Sequence, residues 1–262
     1  MAALTFTTTA KNAYLDGVVG KTTSFGNYTI NYVRAKTAGS TDLLGANGVP
    51  ISWGTPVQGV ASLATATVTP AATGTAALME WWGSTSYQVA SGAVSTTGGG
   101  GNLIAATTGF VSSTPVAVAA QLRVPQSSAG TLKINQALAN QIAACMLVST
   151  TSPQMANGGT ITFYDGTQAA TADTAIGAQN VLGTLTLATS DYNNAAAGQS
   201  TLAASKTVTP SATGTVAWFR WTKSGYVIDG TVGTTGADII VDSTAWTNGV
   251  NRSMTAATLV WP

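Results

Sequence analysis

The stretch TVTPAATGT, Thr67 to Thr75, returns as TVTPSATGT, Thr207 to Thr215, with Ala71 against Ser211 as the one difference. The offset is 207 − 67 = 140 residues. Working outward in the C-terminal direction, Trp81 falls on Trp221, GAVSTTG from Gly92 on GTVGTTG from Gly230, and NLI from Asn102 on DII from Asp238. The match closes with AAQLRVP, Ala119 to Pro125, against AATLVWP, Ala256 to Pro262. Toward the N-terminus the likeness thins but keeps its order: YTINYV, Tyr28 to Val33, parallels TITFYDG, Thr160 to Gly166, each after a short segment of helical character. Repeats of about 20–50 residues would indicate a solenoid, whereas a unit of this length is a whole domain. The expected organisation is a duplicated domain: residues 1–125, a small polar linker QSSAGT at 126–131, and a second copy at 132–262.

Within each copy, short runs rich in Thr, Val and aromatic residues are broken by Gly, Pro, Asn and Asp about every ten residues, the spacing of a sandwich or barrel. The expected fold is all-β: two tandem homologous antiparallel β-sandwich, jelly-roll-like domains with one short helix near the start of each. VAWFRW, Val216 to Trp221, is apolar on both alternating faces except at Arg220 and reads as a central strand. Its counterpart AALMEWW, Ala76 to Trp82, carries Glu80 where the second copy has Arg220, a charge-swapped pair expected to join the two domains face to face. Trp81, Trp218 and Trp221 lie on these strands and are expected in the core, leaving Trp246 and Trp261 for contact surfaces. Glu80, Arg220, Trp246 and Trp261 are therefore the candidate interface residues. In LKINQALANQIAACMLV, Leu132 to Val148, apolar Ile134, Leu138, Ile142 and Cys145 recur at helical spacing. The first copy has a weaker helix in AKNAYLDGVV, Ala10 to Val19, where Gly17 lowers helix propensity.

Charged residues make up only 7% of the 262, against roughly 25% in an average soluble protein. Ten basic and nine acidic residues leave a net charge of +1, too little to attract phosphate backbones or anionic lipid. Neither nucleic acid nor membrane is an expected partner. Near-neutral chains are poorly protected against association, which suits life in an assembly. A hydrophobic content of 45% is that of a folded chain. The start lacks a basic region followed by an apolar run, and no stretch approaches eighteen apolar residues, so neither a signal peptide nor a membrane span is expected.

The chemistry of enzymes is sparse in this sequence. Histidine is absent, which removes the commonest general base and metal ligand. The single Cys145 sits on the apolar stripe of its helix and reads as a small buried hydrophobe. The acidic residues Asp16, Asp42, Glu80, Asp165, Asp173, Asp191, Asp229, Asp238 and Asp242 form no local carboxylate pair of the glycosidase kind. Asp229, Asp238 and Asp242 lie close enough in sequence to suggest calcium, but the first copy puts Ala90 and Asn102 there, and turn chemistry accounts for the acids. GGGGN, Gly98 to Asn102, precedes no helix and no Lys-Ser or Lys-Thr pair, so it reads as a turn. No catalytic residue, metal or cofactor is expected.

The opening TFTTTAKNAYLDGVVGKTTSFGNYTINYVRAKTAG, Thr5 to Gly39, resembles the start of small tailed-bacteriophage virion proteins, in which an AKNAMLDAL-like helix precedes a β-sandwich. Tyr14 and Gly17 depart from that helix. INQALANQIAACMLV, ITFYDGTQAATADTA, TVTPSATGTVAWFRW and VIDGTVGTTGADIIVD, which begin at Ile134, Ile161, Thr207 and Val227, resemble phage structural proteins encoded beside capsid genes. The resemblance implies a non-enzymatic virion protein. It would be assembled in the host cytoplasm and placed on the outer surface of the capsid as a decoration, or cement, protein. The major capsid protein would be its partner, with self-association or homo-oligomers on the lattice. The alternative is a tail-fibre or receptor-binding module whose tryptophans and tyrosines recognise a host glycan, though neither coiled-coil heptads nor β-helical repeats provide a trimerising shaft. A carbohydrate-active enzyme would need the carboxylate pair that the sequence does not place.

Overall fold

In a computed structural model the chain is described over residues 5–6, 8–19, 30–53, 55–56, 60–84, 87–96, 103–123, 133–135, 137–142, 152–197 and 199–260. These residues are mostly strand. The first copy contributes β1 (Thr5–Phe6), β2 (Tyr32–Lys36), β3 (Val49–Pro50), β4 (Val60–Val68), β5 (Gly74–Thr75), β6 (Leu78–Ser84), β7 (Tyr87–Thr96), β8 (Leu103–Ala105), β9 (Gly109–Phe110) and β10 (Val116–Arg123). The second contributes β11 (Lys133–Ile134), β12 (Thr160–Tyr164), β13 (Val181–Thr186), β14 (Gln199–Thr201), β15 (Lys206–Val208), β16 (Gly214–Thr215), β17 (Trp218–Lys223), β18 (Tyr226–Gly233), β19 (Ile239–Val241), β20 (Ala245–Trp246) and β21 (Arg252–Val260).

The order of the main sheet repeats strand for strand, β3-β2-β6-β7-β8-β10-β4 in one copy and β13-β12-β17-β18-β19-β21-β14 in the other. Off the main path, β1 pairs β7 and β11 pairs β18, while β5–β9 and β16–β20 make equivalent two-stranded ribbons. The duplication read from Thr67 to Thr75 is thus carried by the whole ladder. The pairing is not purely antiparallel, as the sequence reading expected: β7–β8 and β18–β19 are parallel. Each long strand turns a corner, β18 pairing β17 through Tyr226–Thr231 and β19 through Val232–Gly233. The far ends of the second sheet then meet, since a Cβ on Gly183 of β13 would lie 3.3 Å from Val208 of β15 and 3.1 Å from the Trp246 ring.

By compactness the chain divides into two units. One holds Met1–Lys11, Ser24–Val124 and Ala143–Thr151, and the other Asn12–Thr23, Pro125–Ile142 and Ser152–Pro262. All of β1–β10 fall in the first and β11–β21 in the second. The helices divide less simply: α1 (Thr8–Val19) gives all but its first four residues to the second unit, where Asp16 Oδ1 accepts a 2.6 Å bond from the Ala195 amide. Gly17 is accommodated within α1, whose Ala10, Tyr14 and Leu15 are buried. No helix among the described residues is long and apolar enough to cross a membrane.

The helix expected over Leu132–Val148 starts later, because Lys133 and Ile134 are taken by β11 in the ladder with Asp229 and Ile228. Asn135 marks the change. Its Oδ1 accepts from the amides of Leu138 and Val227, each at 3.0 Å, and its Nδ2 donates to Gly225 O at 2.8 Å. It caps the helix, described here over 137–142, and fastens it to the β17–β18 hairpin. Asn135→Ala removes the cap and orphans the Val227 amide, so a loss of about 1–3 kcal/mol in urea denaturation is expected. Cys145, the Gly98–Asn102 run and the 126–131 linker lie outside the described residues.

Both faces of β17 are covered, as the alternation of VAWFRW implies. Trp218, Phe219 and Trp221 are all buried. Trp218 stacks on Tyr164 at 4.7 Å, and Trp221 stacks on Tyr192 at 5.4 Å. Burial pushes the Tyr192 hydroxyl far above its ordinary value near 10, and the charge of Asp191 adds to the rise. A folded pKa above the unfolded one gives stability that is complete below about pH 10 and is lost as pH rises past it. In an absorbance titration at alkaline pH, Tyr192 should ionise only as the protein unfolds, lagging the exposed tyrosines.

Candidate functional site

The pairing registers place Glu80 and Arg220 in equivalent cross-strand rows, one per sheet. In the first, Thr5, Ser91, Glu80 and Arg34 lie side by side on β1, β7, β6 and β2. In the second, Lys133, Asp229, Arg220 and Thr162 occupy the same places on β11, β18, β17 and β12. Ser91, not Ala90, is therefore the counterpart of Asp229. The match of Gly92 on Gly230 already implies this; the reading of Ala90 is one residue off that match, and in a strand that is the difference between the two faces.

Glu80 and Arg220 do stand at equivalent sites, but each is engaged within its own sheet, correcting the expected interdomain pair. Glu80 accepts from Lys36 Nζ at 3.0 Å and from the Trp82 indole at 3.1 Å, and Arg34 lies over that indole at 3.7 Å. Arg220 grips Asp229 with both arms of its fork, at 2.7 and 2.6 Å. That contact holds the guanidinium more strongly protonated than usual. A third bond, from Arg220 Nη1 to Thr174 O at 3.0 Å, ties the 165–180 loop down onto the sheet. Its neck is closed by Asp165, which accepts from the Asn180 side chain and amide at 2.8 and 2.6 Å and is held below the usual carboxylate range by them.

Trp246 is likewise corrected. It is 1% exposed, its ring lies 5.0 Å from that of Phe163, and its indole N–H is bonded to Ser243 O. It closes the core and presents nothing to a partner. Trp261 lies outside the described residues. The three acids considered for calcium are separately engaged: Asp229 by Arg220, Asp238 by the amide and hydroxyl of Thr231 at 2.8 and 2.9 Å, and Asp242 by the Ser253 amide at 3.1 Å. Among the described residues no three His, Cys, Asp or Glu side chains gather as a metal site would need.

A different arrangement, present twice, was not read as a site from the sequence. The TPxATGT motif forms a corner against the loop that follows β9 or β20. Pro70 O accepts from the Ser113 amide at 2.8 Å and Pro210 O from the Gly249 amide at 2.9 Å. Thr73 Oγ1 accepts from the Ser112 amide and Thr213 Oγ1 from the Asn248 amide, both at 3.0 Å. Ser113 and Gly249 share a positive φ, 64° and 76°. The motif's glycine is a matter of close approach: a Cβ on Gly74 would lie 2.9 Å from Leu43, and one on Gly214 2.8 Å from Leu182.

Residues 69–75, 107–115, 209–215 and 243–251 include no charged side chain, and the one charge reaching these segments in a described hydrogen bond is the Arg252 guanidinium, which donates to Ala245 O at 2.8 Å at the edge of the second corner. Ala71, Thr73, Thr75 and Val111 to Pro115 are exposed in one, and Ser211, Thr213, Thr215 and Thr247 to Asn251 in the other. In each, a single turn carries one Val and one Thr at its ends. Thr114 N bonds Val111 O, and Val250 N bonds Thr247 O, both at 3.0 Å. The repeat identity that gave this away was visible from the first line of sequence, but its exposure was not. Compared with family models, with curated proteins and with solved structures, the chain has no match.

Proposed function

We propose that this chain is a non-enzymatic capsid decoration, or cement, protein, formed of two tandem jelly-roll-like β-sandwich domains. It binds the outer surface of a phage head, touches the major capsid protein and stabilises the lattice. The observation that carries the reading is where the few charges go. The carboxylates of Asp16, Glu80, Asp165, Asp191, Asp229, Asp238 and Asp242 receive a hydrogen bond or ion pair from the chain itself, and the charge of Asp173 acts on Arg220. The surface left over is hydroxyls, small side chains and backbone, which fits a crowded protein shell better than a polyanion or a lipid head-group layer. The same carboxylates, held by local donors, are poorly placed to serve as an acid and base pair. Binding only the assembled head stabilises it by RT ln(1 + [L]/Kd) per site, and no reaction is needed.

The tryptophans bear on the fibre alternative. Trp81, Trp218, Trp221 and Trp246 are buried, and the partly buried Trp53 and Trp82 pack against Trp81 and Arg34, so none of the described tryptophans stands exposed as a sugar platform would. Copy number in purified virions, by quantitative mass spectrometry against the major capsid protein, tests the proposal. Hundreds of copies in a fixed ratio are expected. A dozen or fewer would move the protein to the tail, and absence would sink the virion reading.

A further inference from the structure

Resting on that reading, we infer that the two TPxATGT corners are the docking surfaces, and that they meet the same uncharged surface on two copies of one capsid subunit. The hydrogen bonds of the corner serve the fold, so their presence in both copies needs no partner. The exposed valines are another matter. A valine 52% or 47% exposed on a turn contributes little to folding, and turns favour Gly, Asn, Asp, Ser and Pro. Yet two of the three large hydrophobic residues exposed among the described residues stand here, one per corner.

The two copies have exchanged the order of Val and Thr at the ends of this turn while keeping one of each, so the surface is retained although the residues have moved. The sheets show the same kind of exchange: Glu80 faces Arg34 and pairs with Lys36 where Arg220 faces and pairs with Asp229, so each copy keeps an opposite-charge contact although the residues have moved. What both corners offer is a valine methyl pair among exposed Thr, Ser and Asn residues, none of them charged, with Arg252 held on Ala245 O at the edge of the second. The matching partner is an uncharged surface with its own backbone and hydroxyl groups, because a charged one would lose hydration on contact without an opposite charge to meet. Two corners on one chain call for two such surfaces, which a lattice of identical subunits supplies. Engaging both makes the second contact intramolecular, with a gain of about 10²–10⁴ over one corner.

The test uses the full chain and heads assembled from the major capsid protein of the same virion without this protein. Binding is followed by cosedimentation for the wild type, Val111→Asp, Val250→Asp, both together, and Val181→Asp, which changes the third exposed valine outside either corner. All five should melt alike, since the changed side chains are exposed. Each single corner variant should bind at least tenfold more weakly, the double variant should not bind, and Val181→Asp should match the wild type. If the wild type binds heads and both corner variants bind equally well, the inference falls and the decoration reading stands. Loss in only one corner variant would overturn the two-site claim. A wild type that does not bind heads at all would take the proposed function down with it.

Discussion

Asp229→Ala is expected to destabilise the chain by about 3–5 kcal/mol, the cost of stranding a buried charge. Asp229 is fully buried, and the Arg220 side chain facing it is 11% exposed. With the carboxylate gone, two of the donors on that guanidinium lose their partner in the middle of the sheet, between β17 and β18. Thr174 O remains, but it cannot balance the charge. Replacing both residues together, Arg220→Met with Asp229→Leu, is expected to land near the wild type or above it, because the pair's attraction is largely offset by its desolvation. Urea denaturation of both variants, read at the midpoint with the slope checked for constancy, gives the comparison. A single variant that loses less than about 1 kcal/mol would mean that water reaches the guanidinium and the pair is a surface one.

Trp246→Ala should cost about 3–5 kcal/mol, as large aromatic truncations in a packed core do. The indole fills the space between Phe163 and the bare Gly183, whose missing side chain makes room for it. Its removal opens a cavity that β13 cannot close, because β13 is already paired to β12 along Thr160–Tyr164. A contact-surface tryptophan would behave in the opposite way, leaving the melting curve unchanged and weakening only association. Measuring stability and head binding on the same variant separates the two roles.

The different fates of Trp246 and Trp221 show what the sequence could and could not convey. Trp221 ends a six-residue run that is apolar except at Arg220, where periodicity alone implies two covered faces. Trp246 stands in STAWTNG, among turn formers, on a strand of two residues whose only ladder is with Gly214 and Thr215. Its burial comes from residues far away in the chain, and no local pattern announces it. The same holds for Glu80 and Arg220. Their equivalence followed from the repeat, but their partners depend on register, Lys36 being 44 residues from Glu80. A hydroxyl-rich corner is the least legible kind of site, since the residues that make a turn are also those that make a polar contact surface. The one-residue error at Ala90 has a cause of its own. The matched segments differ in offset, 140 at Trp81 and 138 at Gly92, and the bulges between Trp81 and Ser84 in β6 against β7 are where that slack lies.

The place of the last strand of each copy in its sheet sets a schedule for synthesis. β10 sits between β8 and β4, and β21 pairs β19, β14 and β15, so neither sheet is complete until its final strand has left the ribosome. Between Val208 and Arg252 the chain grows by 252 − 208 = 44 residues, which at about 5–20 residues per second is roughly 2–9 s of waiting with an open edge. An edge of branched aliphatic residues left open that long would gather neighbouring nascent chains. β4, VASLATATV, faces the same wait for β10 with no charge, Pro or Gly to guard it, only the small size of its alanine, serine and threonine side chains.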